Sequence, residues 1–419
     1  MNQKKGSDWD LVVVGAGAAG FFAVSEVLTK TPQARVLILE KTGKTLAKVR
    51  ISGGGRCNVT NHCPDPEELI ANYPRGSDWL KVVFQQFAVV DTWDWFLKKG
   101  VSLHREPDGR MFPVTNSSES IVQALQQQVK GPGLSIHFHA GVRRISPRES
   151  GGFVLETESG ESIRSANVLI ASGGGPKEDS FGWMKPLALK ISPPVPSLFT
   201  FNVPKHPWAG LQGLSFPDAR VSLNSGHYSF RGPVLVTHWG FSGPAVLKLS
   251  AFAARELAQS GYEYAFSIDF LPGLSNTEIH NFLTNHQALN SRQKPDLHPL
   301  FGFPRRFWEQ LCMEAGLNLH FNWAEVGKKK IQSLAQLIKS RSFQGKGKTT
   351  YKDEFVTAGG IALEEVNAST CESLRFPGLF FAGEVLDVDG ITGGFNFQAA
   401  WSTAYVAAKS ISERLRIRG

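Results

Sequence analysis

The spacing of apolar and polar positions changes several times along this chain, and those changes divide it before any chemistry is considered. Residues 11–14 (LVVV) and 35–39 (RVLIL) are short unbroken runs rich in β-branched residues, the pattern of parallel strands buried on both faces. The segment between them reads as a helix to about Lys30, and Pro32 breaks it. Residues 120–170 give a helix and then three strands, VRRI, GFVLET and NVLIAS. From ISPPVPSLFTFNVP onward, prolines and short alternating runs predict a β-rich stretch reaching about Phe270. NTEIHNFLTNHQALN through SLAQLIKSRS carries apolar residues three and four apart and reads as helical. VTAGGIALEEV and GLFF return to strand, and a last helix starts near Phe395.

Composition adds bounds. At 419 residues the chain is long enough for two or three domains. Forty-five basic against thirty-seven acidic side chains leave +8, a lean toward an anionic partner. Four cysteines (Cys57, Cys63, Cys312, Cys371) are no disulfide framework and fit a reducing compartment. The start MNQKKGSDWD holds no apolar signal core, and no run of eighteen apolar residues occurs, so a cytoplasmic protein without membrane contact is expected.

The first chemical signal lies in DLVVVGAGAAGFFAV. Gly15, Gly17 and Gly20 stand in G-x-G-x-x-G spacing between a strand and a helix, with Glu40 ending the next strand. Gly15 permits the tight turn, Gly17 lets a pyrophosphate approach, and Gly20 lets helix and strand pack closely. Ala18 and Ala19 open the helix whose amino terminus favours phosphate, while Glu40 can accept from the adenosine ribose, with Lys41 beside it. Gly43-Lys44-Thr45 imitates a P-loop ending, but the earlier glycine it needs falls on Ile38. Near the other end, GLFFAGEVLDVDGITGGFNFQAA supplies Gly383 and Glu384 after a strand, then Asp387, Asp389, Gly393 and Gly394 before Phe395 and Asn396 open a helix. A glycine–acid pair at a ribityl chain and a helix amino terminus at a flavin pyrimidine edge select FAD over a nicotinamide as resident cofactor. With no second G-x-G-x-x-G, NAD(P)H is expected only as a transient electron donor. The fold expected is α/β: a discontinuous Rossmann-like FAD-binding domain (1–192 and 351–419) with an insert that is β-rich over 193–272 and helical over 273–350.

The stretches VVVGAGAAG, KVRISGGGRCNVTN, GRMFPVT, THWGFSGPAVLKLS, VTAGGI and FAGEVLDVDGITGGFNFQ resemble, in order, a bacterial family of single-Rossmann flavoproteins labelled aminoacetone-oxidase-like or NAD(P)/FAD-dependent oxidoreductases. The resemblance implies FAD and an inserted domain over the flavin. Some members are similar to enzymes that reduce a uridine of large-subunit ribosomal RNA to dihydrouridine, and others are linked to amine or steroid redox chemistry. The chain departs from the family pattern at Phe395 and Phe397, where Tyr and Leu are expected, and at Ala404, where Gly is.

KVRISGGGRCNVTN then reads as a cofactor cradle. Gly53, Gly54 and Gly55 let bare backbone lie against the cofactor, Arg50 and Arg56 offset pyrophosphate and substrate charge, and Asn58 orients amide hydrogen bonds. Val142, Ser172 and Gly173 are further expected cofactor contacts. Cys57, as a thiol of ordinary pKa, is a candidate proton donor, against the plainer reading of a small residue packed beneath the loop. Asp387 and Asp389 are rival donors or flavin ligands, with the catalytic candidacy given to Asp387 and the ligand role to Asp389. No metal is expected: His137 and His139, and the Cys57, His62 and Cys63 group, lack partners at ligand spacing. Lys328, Lys329, Lys330, Lys339, Arg341, Lys346, Lys348 and Lys352, with Arg305, Arg306 and the rings of Trp308, Phe343 and Tyr351, suggest an RNA surface, against the alternative of an ordinary solvated lysine face. Ribosomal RNA or a small molecule is the expected partner.

Overall fold

The computed structural model describes residues 9–175, 178–349 and 356–418. The chain forms two units, residues 9–197 with 356–418, and residues 198–349.

The first unit is built on strand β1 (Trp9–Val14), helix α1 (Ala18–Lys30) and strand β2 (Val36–Leu39). Strand β1 runs parallel to β2 on one side and to Ser162–Ile170 on the other. Leu134–His137 and Leu379–Phe381 extend this parallel sheet at its two ends. Its apolar runs have the composition they do because both faces are covered: Leu11, Val12, Val13, Val36, Leu37 and Ile38 are all 0% exposed. The registers Val14↔Leu39, Val14↔Ile170 and Phe381↔Ile170 bring four strands to an end at one level. The loops that follow them therefore emerge together, at the edge where open parallel sheets bind ligands. The final helix, Phe395–Arg418, packs against α1, and Trp401 meets Phe22 with ring centroids 5.5 Å apart. The hairpin Val142–Pro147 and Phe153–Thr157 is added antiparallel to the first half of Ser162–Ile170.

Ile191–Ser197 also belongs to this unit, pairing antiparallel with Val356–Ile361, whereas the sequence pattern had begun the insert at residue 193. Pro193 and Pro194 are accommodated because they fall in a register shift between Ser192 and Val195, where no ladder donor is required.

The second unit is a sheet that returns on itself. Arg341–Lys346 pairs with Glu263–Asp269, and Lys348–Thr349 pairs with Thr200–Asn202 at the opposite end of the strand order. Only Gly347 (φ +78°) separates those two pieces, so one bent segment closes the sheet into a barrel and leaves no free edge. Aromatic rings fill it: Phe201 against Phe266 at 5.0 Å, Phe241 against Phe343 at 4.6 Å, and Trp208 against Phe343 at 5.0 Å. Helices Asn276–Leu289, Arg305–Glu314 and Lys328–Lys339 follow the helical spacing read from the sequence. Pro244–Phe252 and Ala254–Gln259 are helices inside the stretch expected to be β-rich. Their signal was present, since Gly243-Pro244 is a helix start with proline at the first position.

Candidate functional site

The three glycines of the first turn do different work. A Cβ on Gly15 would stand 2.4 Å from the Ala171 carbonyl oxygen, and one on Gly20 2.1 Å from the Gly15 carbonyl oxygen. Both positions are closed by backbone. Gly17 is the opposite case, with no atom within 4 Å of its Cβ position. It caps α1, whose first turn holds no acid and whose cap makes no side-chain hydrogen bond. Open space in front of unused helix N–H groups is a place for a phosphate. Ala18 is half-buried and Ala19 buried behind it. The Glu40 carboxylate is held at this turn, accepting from the Ala16 N–H at 3.0 Å and from the Thr42 N–H and hydroxyl at 2.8 Å each. Lys41 is exposed beside it.

Ala171 donates its N–H to the Val14 carbonyl, so exposed Ser172 and half-buried Gly173 (φ +76°, nothing near its Cβ position) start from the same level as Gly15. Gly383 follows the next strand, its N–H donating to Thr403 Oγ1 at 2.9 Å. Glu384 accepts from the Thr357 N–H at 3.0 Å and pairs with Lys48 at 2.9 Å. Val142, by contrast, is half-buried in its hairpin, paired with Thr157.

The KVRISGGGRCNVTN segment is helical up to Ile51 and then turns through Ser52 (ψ +147°), Gly53 (φ +57°), Gly54 (φ +68°) and Gly55 (φ +84°). Three successive left-handed residues need glycine for conformational reasons alone. The three are not equivalent as a cradle. A Cβ on Gly53 would stand 3.0 Å from the Phe112 ring and 3.1 Å from the Asn58 nitrogen, whereas Gly54 is exposed with nothing within 4 Å of its Cβ position. The two arginines differ from expectation as well. Arg50 is paired with Glu119, and Arg56 bonds Glu106 at 2.7 Å while lying 4.0 Å over the Phe112 ring. Their charges are offset by acids within this unit. Asn58 Oδ1 accepts from the Met111 N–H at 3.3 Å.

The tail of that segment is stitched to the last helix. Asn61 donates to the Gly393 carbonyl at 3.0 Å, Thr60 to Gln398 Oε1 at 2.6 Å, and Trp401 Nε1 to the Val59 carbonyl at 3.0 Å. A Cβ on Gly394 would stand 2.5 Å from the Thr60 carbonyl. Asn396 closes its own loop, bonding the Gly390 N–H and carbonyl at 2.8 and 2.9 Å, and the Phe395 carbonyl accepts from the buried Tyr73 hydroxyl at 2.7 Å. Two motifs more than 300 residues apart thus form one surface, and the helix amino terminus at Phe395, with no acid in its first turn, belongs to it.

Two expectations need correction. Cys57 is not a thiol of ordinary pKa: it is 0% exposed, sits in a left-handed turn (φ +60°), and burial pushes it up to about 12 against a hydrogen bond with Ser52. Enclosed this way it is a packing residue beneath the loop. Asp389 is not open to a flavin either. It is 0% exposed, both its oxygens are engaged by the Arg75 guanidinium, and Ser197 donates to it at 2.8 Å. Asp387, on the same loop, is half-buried. Arg75 was missed by sequence reasoning, although the adjacent Gly76 (φ +79°) offered a clue, because a Cβ there would meet Val388 at 2.7 Å.

From these placements, Cys57→Ser should keep product formation within a few-fold and lower stability by about 1–2 kcal/mol, read by turnover and urea unfolding. A sharp loss of turnover with unchanged flavin reduction would restore the thiol as proton donor.

In the second unit the basic run divides. Lys328 and Lys329 are exposed at a helix start that carries no acid. Lys346 pairs with Glu263 at 2.7 Å, and Lys348 is half-buried 3.6 Å over the Tyr262 ring, where burial lowers its pKa. Lys339 is tied to Asp269, and Arg341 to Glu314, both at 2.7 Å. Trp308 and Phe343 are 0% and 4% exposed, core rings and not stacking platforms. Lys352 and Tyr351 lie outside the described residues. Among the described residues no cluster suited to a metal occurs, and no helix is long and apolar enough to cross a membrane.

This geometry has relatives. The chain is 30% identical over 416 residues to a ribosomal RNA dihydrouridine synthase of Haemophilus influenzae, covering 96% of this chain and 98% of that one. It is 27% identical over 412 residues to a 3-dehydro-bile acid delta(4,6)-reductase of Clostridium scindens, again over 96% and 98%. A flavocytochrome c3 fumarate reductase shares the fold with a TM-score of 0.51 at 15% identity, over 98% of this chain and 79% of that one. The fold is that of FAD-dependent oxidoreductases, and the open Cβ positions of Gly17 and Gly173 leave room for such a dinucleotide. The model of the HI0933-like protein Rossmann domain family matches residues 9–410, and the chain belongs to that family.

Proposed function

We propose that this oxidoreductase reduces a uridine in large-subunit ribosomal RNA to dihydrouridine, with NAD(P)H as electron donor. The observation that carries the reading is the distribution of charge. Residues 198–350 hold sixteen Lys and Arg against nine Asp and Glu, so +7 of the chain's +8 lies in the insert. A cofactor domain near neutrality joined to a strongly basic insert suits a polyanionic substrate better than a small neutral one. The dihydrouridine synthase relatives support the same reading.

Bound flavin supplies the hydride, and one proton completes the saturation of the uracil double bond. The cofactor would be held by the Gly15–Gly20 turn and α1 at its pyrophosphate, by Glu40 at the adenosine ribose, and by Gly383, Glu384 and the 393–396 helix start at the flavin. Asp387 is assigned the proton, since it is half-buried on the 383–394 loop while Asp389 is enclosed by Arg75 and Ser197. A second reading, reduction of a steroid-like enone, is favoured by the bile-acid reductase relative at nearly equal identity. Both reactions saturate a carbon–carbon bond conjugated to a carbonyl, so one pocket chemistry serves either.

Salt separates them. If Lys328 and Lys329 each contact a phosphate, Lys328→Ala with Lys329→Ala should flatten the log–log salt dependence of RNA binding by about 1.4. Flavin content should be unchanged in that variant. Mass mapping of ribosomal RNA from a deletion strain gives the direct test. One uridine should lose the mass of two hydrogens, and an RNA with no such change would move the assignment to the small-molecule reaction.

A further inference from the structure

The turn between Ser229–Val236 and Gly240–Ser242 presents two consecutive exposed rings, His238 and Trp239, and the indole is 68% exposed. The turn itself is fixed. Thr237 donates its N–H to the Gly240 carbonyl at 2.8 Å, Gly240 donates to Thr237 Oγ1 at 3.1 Å, and Val203 donates to the Trp239 carbonyl at 2.7 Å. Gly240 (φ +154°) is pressed so close that a Cβ would stand 2.1 Å from the Phe201 carbonyl oxygen. A large ring held on a braced backbone loses little freedom when something stacks on it.

The strand end bonded to this turn continues into Lys205 and His206. Lys205 is exposed in a left-handed conformation (φ +51°). Both ring nitrogens of His206 are shut from solvent and have no hydrogen-bond partner among the described residues, and the ring packs edge-on to Phe241 at 5.1 Å. With both nitrogens enclosed, the ring supports the turn by packing and offers no polar edge to a ligand.

We propose that Trp239 is a stacking platform for an unpaired base of single-stranded RNA, with Lys205 serving the adjoining phosphate. The inference rests on the RNA reading above and narrows it to one end of the insert. Planar stacking and a nearby cation are what holding a splayed-out base and its phosphate requires.

The test compares a twelve-nucleotide oligouridine with an abasic ribose-phosphate oligomer of equal length, both titrated against the flavin-loaded protein. The parent should prefer oligouridine, and Trp239→Ala should bind it roughly ten-fold or more weakly while binding the abasic oligomer unchanged. Trp239→Phe should stay within about three-fold of the parent, because it keeps a ring. Both should retain the parent's salt slope, since ring contacts release no counterions. Trp239→Ala binding oligouridine as well as the parent would overturn the platform and leave the RNA reading standing. An equal loss on both oligomers would also overturn it, assigning the effect to backbone contacts. A parent protein that binds neither oligomer at low salt would sink the RNA reading itself, and the platform with it.

Discussion

Gly17→Val should purify as a folded protein without yellow colour. Gly17 has φ −88° and ψ −165°, a conformation open to any residue, and no protein atom lies within 4 Å of its Cβ position. A Cβ there meets no packed neighbour, so the unfolding midpoint should barely move. It would stand instead in front of the α1 N–H groups, where the pyrophosphate is proposed to lie. Losing two charge-assisted hydrogen bonds to phosphate corresponds to a drop in affinity on the order of a hundred-fold or more. Gly20→Ala is the instructive contrast: its Cβ would press on the Gly15 carbonyl oxygen, so it should destabilise the fold by about 1–3 kcal/mol. Flavin-to-protein absorbance ratios and thermal unfolding of both variants check this. Stoichiometric flavin in Gly17→Val would place the pyrophosphate elsewhere.

Arg75→Ala should cost about 3–5 kcal/mol in urea unfolding at neutral pH, because it strands the buried Asp389 carboxylate. Burial already pushes that carboxyl above its usual range, against the pull of Arg75 and Ser197. Without the guanidinium the folded pKa rises further, while the unfolded chain keeps a value near about 3.9. A carboxyl that binds its proton more tightly when folded gains stability as pH falls. The deficit should therefore be largest at neutral and alkaline pH and narrow on acidification through the raised pKa. Combining Arg75→Met with Asp389→Leu removes both charges and should recover most of the loss. A deficit of Arg75→Ala that stays constant with pH would show that lost packing, not the stranded charge, sets its size.

The cofactor half of the fold was legible because its signals are local. Gly15, Gly17 and Gly20 encode a turn within six residues, and the run from Leu11 to Val14 states by itself that both faces are buried. The α/β class and the flavoprotein family follow from such runs. What escaped was non-local. Arg75 and Ser197 reach Asp389 from 314 and 192 residues away, and nothing near Asp389 marks it as enclosed. Phe343 sits among lysines in sequence yet points inward, because strand alternation places it between the exposed Ser342 and Gln344. Proximity along the chain made a basic aromatic patch that the barrel takes apart. The charge excess of the insert survives this, since it depends on composition and not on which ring faces out.

Closure of the barrel through Gly347 also sets an order of events during synthesis. Thr200–Asn202 finds its partner, Lys348–Thr349, 147 residues later in the paired positions Phe201↔Lys348. At about 5–20 residues per second a ribosome needs roughly 7–30 s to make that span. Through that interval the strand's unpaired edge and the rings of Phe199 and Phe201 have no finished barrel to enter. Ser162–Ile170 waits longer, since its outer parallel partner Leu379–Phe381 comes near the end of the chain. Neither unit can complete its sheet before most of the chain has emerged, so the nascent protein depends on being shielded from aggregation until the last strands arrive.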